Sequence, residues 1–466
     1  MRPMTATALA RPLPCVADID AALEDDTLAL LARLFVQHGD AFRVHSPLLG
    51  KDLFVLSHPD HVRHVLVDNQ ANFSKGIGIE RVAILLGNGL MTSDGATWRS
   101  QRKAIQPAFH RIAVEAHAGD IVAANQRLAD RITAAACGPV DITHELSEVT
   151  LEIVLRAIFG ASYERLMSGV NPFALLTAES DRDLKFAYAF RQLGTLVQQE
   201  IEWRRAEVAA AALTPTLSRK RERECSTDFG AGNGAPDAVP DAAPDILQRL
   251  IDARDRHTGE SMSDRQIRDE VFTLIVAGHE TTASALAWTW LLIAQHPYVA
   301  ERLHAEVDEA SDGERAQPDP QRFAYAQQVI AESLRLYPPG WLLTRRARAA
   351  AAIAGIDVLP GDDILISPYL VHRHPDFWTD AERFDPDRFA PDAERARPRF
   401  CYLPFGAGPR ACIGESFALA EMLAHIVTLA HRCRIELVPG QTINVEGRVN
   451  LRPRPAIRVQ PVRRGS

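Results

Sequence analysis

Apolar side chains recur every three or four residues along much of the chain, with charged residues on the opposite face, which predicts amphipathic helices. The clearest such segments are residues 113–136, 146–159, 193–212 and 415–432. Strand-like segments are shorter and fewer. Residues 42–44 and 53–57 predict a hairpin, and residues 364–367 follow a Pro-Gly turn. The chain is therefore predicted to be mainly α with a small β portion.

One predicted helix, residues 264–294, is apolar on nearly all sides over residues 271–276 and again over residues 283–293. Ser263 and Gln266 form a capping-box pattern at its start, and the pair His296-Pro297 ends it. At about 1.5 Å per residue this helix would be on the order of 45 Å long. An apolar surface in every direction predicts a buried central helix.

Polar groups interrupt this helix at residues 277–282, which read Ala-Gly-His-Glu-Thr-Thr. A glycine within a helix costs about 1 kcal/mol relative to alanine, and an unpaired buried carboxylate costs more. Two interpretations are open at this point. The segment is either a packing glycine with Glu280 at the surface, or a helix opened locally to hold a ligand, with hydroxyl and carboxyl groups placed to pass protons.

Composition and charge narrow the class of protein. The chain has 466 residues, of which 46% are hydrophobic and 24% are charged, as is typical of a globular protein. The net charge of -8 gives no overall attraction for phosphate polymers, so no nucleic-acid partner is expected. Length alone would suggest about three domains.

Residues 214–245 differ in composition from the rest of the chain. A run of charged residues at 219–224 precedes a stretch rich in glycine, alanine, proline and aspartate, which cannot bury apolar surface. This composition predicts a disordered surface insert between two helices. A basic docking motif is the alternative interpretation.

The sequence contains no recognisable targeting or membrane segment. The first 16 residues hold three prolines and no long apolar stretch, and about 18 uncharged apolar residues do not occur together elsewhere. The six cysteines form no C-x-x-C pair, which favours a reducing compartment. We therefore expect a soluble cytoplasmic protein without a membrane anchor.

One of the six cysteines differs from the others in its surroundings. Cys412 lies in the loop Phe-Gly-Ala-Gly-Pro-Arg-Ala-Cys-Ile-Gly, residues 405–414, directly before the apolar helix that starts near Glu415. The N-terminal N–H groups of that helix favour the thiolate, which is the form of cysteine that binds metals. The remaining cysteines are interpreted as small buried hydrophobic residues (Cys15, Cys137, Cys401 and Cys433) or as an exposed bystander in the insert (Cys225).

The loop around Cys412 resembles the haem-binding signature of the cytochrome P450 family, in which the matching cysteine is the axial thiolate ligand of haem iron. Other family motifs follow in the same order. They are Trp98-Arg99-Ser100-Gln101-Arg102, residues 277–282, Glu332-Ser333-Leu334-Arg335 and the Pro386-Asp387-Arg388-Phe389 segment. The resemblance covers residues 20 to 460 and implies one large domain over residues 1–466 in place of three.

The resemblance implies a role for individual residues. The cofactor would be haem b, with Cys412 as the iron ligand. Its other contacts would come from Arg410, Trp98, Arg102, Arg346, Phe405, Gly406 and Gly278. Arg345, next to Arg346, is an alternative partner for a haem propionate. Thr281 and Glu280 would be the catalytic alcohol and acid, and a buried ionic cluster of Glu332, Arg335 and Arg388 would support the cysteine loop.

The resemblance also implies an activity. The protein would be a monooxygenase that inserts one atom of O2 into a hydrophobic small molecule by hydroxylation or epoxidation. The segments at the family's substrate-cavity positions are residues 77–90, 185–193, 272–277 and 341–344. They are mostly apolar, which suits a fatty acid, terpenoid, steroid or polyketide-like substrate.

No reductase module is recognisable, so electrons would come from separate proteins such as a ferredoxin and its reductase. An arginine-bearing face on the cysteine side would suit an acidic donor. The alternative function is that of a haem-thiolate peroxygenase or isomerase, which needs no electron donor. Members of those classes often lack one or both of the residues that match Glu280 and Thr281, and this chain has both.

Overall fold

The computed structural model of the protein describes residues 13–19, 26–134, 138–168, 192–207, 244–254 and 259–464. These residues group into two compact units. The first unit draws on residues 1–84, 118–153 and 277–466, and the second on residues 85–117 and 154–276. Of the predicted insert at residues 214–245, only residues 244–245 are described, so both the disordered insert and the single domain over residues 1–466 stay predictions.

Helices account for most of the described chain. In chain order they are α1 Thr27–His38, α2 Pro59–Arg63, α3 Ile79–Leu86, α4 Gly95–Ile105, α5 Arg111–Glu115, α6 Ala118–Ala134, α7 Ile142–Phe159, α8 Ser162–Met167, α9 with its described residues 192–207, α10 Ile246–Asp252, α11 Asp264–Gln295, α12 Pro297–Asp308, α13 Asp312–Ala316, α14 Ala324–Leu336, α15 Pro368–Val371, α16 Pro391–Ala396 and α17 Glu415–Arg432. The mainly α class predicted from the sequence is confirmed.

The small β portion lies in the first unit. Its strands are β1 Cys15–Asp18, β2 Ala41–Ser46, β3 Lys51–Leu56, β4 Phe73–Lys75, β5 Val140–Asp141, β6 Leu343–Ala347, β7 Ala351–Ile353, β8 Ile356–Val358, β9 Asp363–Ile366, β10 Cys433–Leu437, β11 Asn444–Gly447, β12 Leu451–Arg454 and β13 Arg458–Arg463. A six-stranded sheet has the order β1-β2-β3-β9-β6-β4, a three-stranded sheet has the order β10-β13-β5, and β7-β8 and β11-β12 are hairpins.

Most predicted elements agree with the structure. The capping box at the start of α11 is formed, because the Ser263 backbone N–H donates to the Gln266 side chain at 2.9 Å and the Gln266 N–H donates to the Ser263 hydroxyl at 3.3 Å. The single helix expected over residues 113–136 is wrong. The structure has a break at residues 116–117 between α5 and α6.

The six-stranded sheet is buried on both faces, because residues alternate between two apolar clusters. Leu53 and Val55 of β3 belong to one cluster with Trp341 and Leu451. Their neighbours Phe54 and Leu56 belong to the opposite cluster, which also contains Leu403, and Leu343 and Ala407 pack against it. The loop before Cys412 therefore packs on this second face of the sheet.

The C-terminal half of α11 is buried within the first unit. The Trp290 indole N–H donates to His425 of α17 at 2.9 Å, and Thr289 donates to Ser333 of α14 at 2.8 Å. Trp288 stacks on Tyr337 with ring centroids 4.0 Å apart. These contacts fix the part of the helix that begins at Ala277, which carries the proposed catalytic residues.

A buried arginine stabilises the second unit. Arg204 of α9 donates to Glu200 at 2.9 Å, to Asp245 at 2.7 Å and to the Phe159 carbonyl at 2.7 Å. Hydrogen bonds to these two carboxylates raise the pKa of Arg204 despite its burial. Several charge-assisted hydrogen bonds to one guanidinium compensate for its desolvation.

Candidate functional site

The loop that carries Cys412 is held by a series of short backbone contacts. The Cys412 N–H donates to the Phe405 carbonyl at 2.8 Å, and the Gly406 N–H donates to Leu403 at 3.0 Å. Gly406 and Gly408 both have φ of +73°, which glycine adopts without strain. A Cβ on Gly408 would lie 2.0 Å from the Leu66 carbonyl oxygen, so this position has no room for a side chain.

Cys412 is exposed, reduced and placed just before α17. The N-cap of this helix is Gly414, which has no side chain to accept from the first N–H groups. These N–H groups therefore contribute positive potential near the sulfur and favour the thiolate. An exposed thiol on a loop held by backbone hydrogen bonds fits a residue that would ligate the iron of a haem.

The other described cysteines differ from Cys412 in burial or position. Cys401 and Cys433 are buried, and desolvation raises the pKa of their thiols to about 11 and about 12 respectively. Both behave as small hydrophobic residues, as expected. The same expectation is wrong for Cys15, which is exposed on the edge strand β1. Cys137 and Cys225 lie outside the described residues.

Glu332 and Arg335 of α14 form a fully buried ion pair. The guanidinium contacts both carboxylate oxygens, at 2.6 and 2.8 Å, and Arg388 lies 3.4 Å from the same carboxylate. Arg335 also donates to the carbonyls of His372 and Ala381. Burial raises the pKa of Glu332, while Arg335 opposes the rise. The cluster expected from the sequence is therefore present, with both oxygens of Glu332 hydrogen-bonded to Arg335.

His372 connects this cluster to the cysteine loop, although the sequence pattern gave it no role. Its Nδ1 lies 3.1 Å from the Arg335 carbonyl, and its Nε2 accepts from the Leu403 N–H at 2.9 Å. Complete burial lowers the pKa of His372 to about 3, so the ring is neutral. A neutral ring that accepts at Nε2 carries its proton at Nδ1 and donates it to Arg335.

The α11 segment at residues 277–282 remains α-helical, without the local opening that one interpretation of the sequence required. The Thr281 hydroxyl donates to the Ala277 carbonyl at 2.6 Å. Gly278 is half-buried, and Glu280 is exposed, with its carboxylate 3.0 Å from the Asn450 amide nitrogen. The alcohol and the acid are therefore adjacent on a rigid helix.

His279 directly precedes Glu280 and anchors the segment to α7. Its Nε2 is 2.8 Å from the Ser147 hydroxyl, and its carbonyl accepts from Thr150 at 3.3 Å. Burial lowers the pKa of His279 to about 4, so the ring is neutral at physiological pH. The sequence motif contains His279, but its hydrogen bond to Ser147 could not be predicted from the sequence, because the two residues are more than 130 positions apart.

Arg345 and Arg346 lie on opposite faces of β6. Both oxygens of Asp363 accept from Arg346, at 3.0 and 3.1 Å, and this contact raises the pKa of the guanidinium. Arg345 shares its face with Leu343, which packs in the same cluster as the cysteine loop and lies near Gly406. The geometry thus favours Arg345 over Arg346 as the arginine on the cysteine-loop side.

Trp98 and Arg102 belong to the second unit and lie one turn apart on α4. Asp94 caps this helix by accepting from the Gly95 N–H at 2.6 Å. Trp98 is buried and Arg102 half-buried. The i, i+4 spacing places both side chains on one face of the helix, as a shared role at one ligand requires.

The apolar segments proposed to line a substrate cavity divide into core and surface. Phe272, Ile275 and Leu90 are buried, whereas Leu85 is exposed. Trp341 belongs to the core of the first unit, and its indole N–H donates to the Arg448 carbonyl at 2.8 Å. Residues 185–191 lie outside the described ranges. Among the described residues, no helix is both long enough and apolar enough to cross a membrane.

Comparison with known proteins gives the family. The sequence model of the family described as Cytochrome P450 matches residues 9–458. Cyclooctatin synthase from Streptomyces melanosporofaciens is 35% identical over 424 residues, covering 90% of this chain and 86% of the relative. Cyclooctat-9-en-7-ol 5-monooxygenase from the same organism is 34% identical, covering 87% of this chain and 84% of the relative.

The fold agrees with this assignment. A crystal structure of the cytochrome P450DA haem domain superimposes with a TM-score of 0.81 and 23% identity, and 98% of each chain is covered. Members of the family bind haem b, which the exposed thiol and the glycine loop of this chain fit. The chain belongs to the cytochrome P450 family and is an oxidoreductase that incorporates oxygen into its substrate.

Proposed function

We propose that the protein hydroxylates or epoxidises a cyclic terpenoid. The relatives named above are a cyclooctatin synthase and a monooxygenase of cyclooctat-9-en-7-ol, and each spans nearly the whole of this chain. The buried apolar side chains of α11 at Phe272 and Ile275 suit a hydrocarbon-rich ligand. A terpenoid is therefore preferred over a fatty acid, steroid or polyketide-like compound.

The observation that carries the chemistry is the placement of Cys412. Its thiol is exposed on a loop fixed by backbone hydrogen bonds and by a glycine at 408 that contacts Leu66. When bound, haem b supplies the iron that takes up O2 and oxidises the substrate. Cys412 would be the thiolate ligand, and Arg410 and Arg345, with Trp98 and Arg102, would hold the cofactor's propionates.

Thr281 and Glu280 would control protons on the substrate side. Because the Thr281 hydroxyl hydrogen is committed to the Ala277 carbonyl, the oxygen lone pairs remain oriented to accept a hydrogen bond. Glu280, the next residue, would exchange protons with bulk solvent, as its exposure allows. The neutral His279 ring on the α7 side keeps the helix in place and adds no competing charge.

The test is a ligand screen followed by product analysis. The ferric protein is titrated with cyclic terpenoid hydrocarbons and alcohols, fatty acids and steroids, and displacement of the iron-bound water is followed by the Soret shift. We expect micromolar shifts with the terpenoids and, on reduction under isotopically labelled O2, one labelled oxygen atom in the product. A shift with fatty acids alone would contradict the substrate class, and product formed with peroxide but not with O2 and reductant would contradict the monooxygenase.

The haem ligand is tested in the same preparation. The ferrous carbon monoxide complex should show the strongly red-shifted Soret band of thiolate ligation, and Cys412→Ser should abolish it. The matched control is Cys433→Ser, which changes a buried cysteine outside the loop. An unshifted band in the wild type would overturn the role of Cys412.

We further propose that a ferredoxin and its reductase supply the electrons in the cytoplasm. The donor would approach the surface beside the cysteine loop, where a groove of about 410 Å³ is lined by Phe405, Gly406, Glu394 and Glu415, among others. The residues that line the groove include these two carboxylates and no arginine or lysine. The arginines that attract an acidic donor would therefore lie on the surface around the groove and not inside it. An electron-transfer rate that does not change with ionic strength would contradict this mode of docking.

A further inference from the structure

The tip of the β11–β12 hairpin contacts one face of α11. Glu280, Ser284 and Trp288 are spaced four residues apart and therefore lie in a row along the helix. The Ser284 hydroxyl donates to the Leu451 carbonyl at 2.5 Å, and the Trp288 indole N–H donates to the same carbonyl at 3.0 Å. The third member of the row, Glu280, accepts from the side-chain amide of Asn450 at 3.0 Å.

The backbone of this tip is fixed from two further directions. The Trp341 indole N–H donates to the Arg448 carbonyl at 2.8 Å, and the Leu451 N–H donates to the Pro339 carbonyl at 3.0 Å. A Cβ on Gly447 would lie 3.3 Å from the Trp341 ring, which shows how closely the hairpin packs. Asn450, between these anchors, is half-buried on a rigid three-residue turn.

We propose that Asn450 is a positioning residue that sets the orientation of the Glu280 carboxylate beside Thr281. The inference rests on the acid role proposed above for Glu280. An asparagine Nδ2 can only donate, and a glutamate carboxyl oxygen accepts, so this contact favours one rotamer of Glu280. The hairpin thus contributes to where the acid is held.

Loss of this hold has a defined consequence. Glu280 is exposed and its side chain has three rotatable bonds, so loss of the Asn450 contact would remove one restraint and widen the range of its orientations. Proton transfer depends on geometry at the level of about 1 Å, and displaced groups lose up to about 100-fold in rate. Electrons would then leave as peroxide instead of appearing in product, while binding of substrate would be unchanged.

The first measurement is coupling, the fraction of electrons recovered in product. Asn450→Asp keeps the shape but removes the donor, and Asn450→Ala removes the side chain. We expect a threefold to tenfold fall in coupling for each, with substrate affinity changed by less than twofold. Asn450→Ser, which retains a hydroxyl donor, should recover part of the loss. The matched control is Asn444→Ala, the same substitution at an exposed asparagine at the base of the hairpin.

The second measurement is independent of turnover. The chain has eight asparagines, so selective nitrogen labelling gives few side-chain amide signals. In the diamagnetic ferrous carbon monoxide complex, the Asn450 signal is identified by its loss in Asn450→Asp. Glu280→Gln should shift this signal, and the Asn444 signal should stay in place.

A double-mutant cycle separates the outcomes. If Glu280→Gln leaves coupling unchanged, the proposed role of Glu280 falls, and this inference falls with it. If Glu280→Gln lowers coupling but the Asn450 substitutions do not, only the inference about Asn450 is overturned. An Asn450→Ala effect of equal size in the wild-type and Glu280→Gln backgrounds would also overturn it, because Asn450 would then act through another group.

Discussion

Neighbouring arginines on β6 show how strand alternation separates two identical side chains. The sequence indicated one cationic partner for the cofactor at this point and favoured Arg346, with Arg345 left as the alternative. In the structure Arg346 is engaged by both oxygens of the buried Asp363, on the face opposite the cysteine loop. Because side chains alternate along a strand, the sequence predicts that Arg345 and Arg346 point to opposite faces of β6. Only the sheet shows which of these faces meets the cysteine loop.

We predict different effects for the two arginines. Arg345→Ala should weaken haem retention about tenfold, because a propionate loses its cationic partner, with little change in stability of the apoprotein. Arg346→Ala should leave haem retention unchanged and lower the free energy of unfolding by about 1–3 kcal/mol, since Asp363 loses one cation and Arg346 is one-third exposed. Haem transfer to apomyoglobin and denaturant unfolding measure the two quantities. If Arg346→Ala lost haem and Arg345→Ala did not, Arg346 and not Arg345 would be the partner of the propionate.

At Thr281 the hydroxyl is the group in question. Thr281→Ala should retain haem and substrate binding but lower coupling at least threefold and release peroxide, because an oriented proton carrier is lost. Thr281→Ser, which keeps the hydroxyl, should be close to the wild type. Peroxide yield per electron pair measures the effect. Full coupling in Thr281→Ala would mean that the residue only packs within α11.

Among the secondary-structure elements, the amphipathic and apolar patterns located α11 and α17 nearly to the residue. The break between α5 and α6 was missed, since apolar spacing continues across residues 116–117 and the nearest glycine, Gly119, already lies within α6. Contacts between elements were also missed. His372, which directly follows the short helix α15, joins α14 to the cysteine loop, and a lone histidine carries no sequence signal for such partners.

This link between elements is testable. His372→Leu would leave the buried Leu403 N–H and Arg335 carbonyl without their ring partners, at about 1–3 kcal/mol each. We expect a loss of about 2–4 kcal/mol in unfolding free energy and a smaller fraction of thiolate-type Soret band in the carbon monoxide complex. His372→Gln, which offers both a donor and an acceptor, should behave more like the wild type. An unaltered Soret band in His372→Leu would show that the cysteine loop holds its shape without the His372 contact.

For the whole molecule, buried neutral histidines make stability depend on pH. Desolvation lowers the pKa of His425 to about 3, and its ring bonds to Asn125 and Trp290. As pH falls below 6.5, the unfolded chain takes up a proton that the folded chain refuses, so stability is lost with falling pH. Glu421, one turn earlier, acts in the opposite direction, because burial raises its pKa well above the usual value.

A difference measurement isolates the histidine. His425→Gln retains one donor and one acceptor, so its unfolding free energy relative to wild type at pH 7 is the reference. Between pH 6.5 and about 4 the wild type should lose stability relative to the variant by up to about 1.4 kcal/mol per pH unit. Denaturant titrations at pH 7, 6 and 5 give the curve. If the difference in unfolding free energy between wild type and variant did not change with pH, His425 would take up its proton equally in the folded and the unfolded chain.

The sequence suggests candidate site residues where they lie in contiguous motifs. Cys412, Glu332 and Arg335 were proposed from the order and spacing of the motifs that resemble the family. The contacts of Asn450, Ser147 and His372 were not predicted, because the partner of each residue lies more than 30 positions away along the chain. Hydrogen bonds of this kind depend on packing, to which a single sequence gives no access.

The close contact at Gly408 has a consequence for engineering. Since any β-carbon there meets the Leu66 carbonyl oxygen, a library of random residues at this codon would be filtered by folding before selection for a new substrate could act. At Gly406 an added β-carbon would lie 3.9 Å from the nearest atoms, so a substitution there would be limited by the backbone angle and not by space. Directed evolution of this enzyme would therefore gain more from varying positions 448 and 449, where exposed side chains project from a backbone that is already held in place.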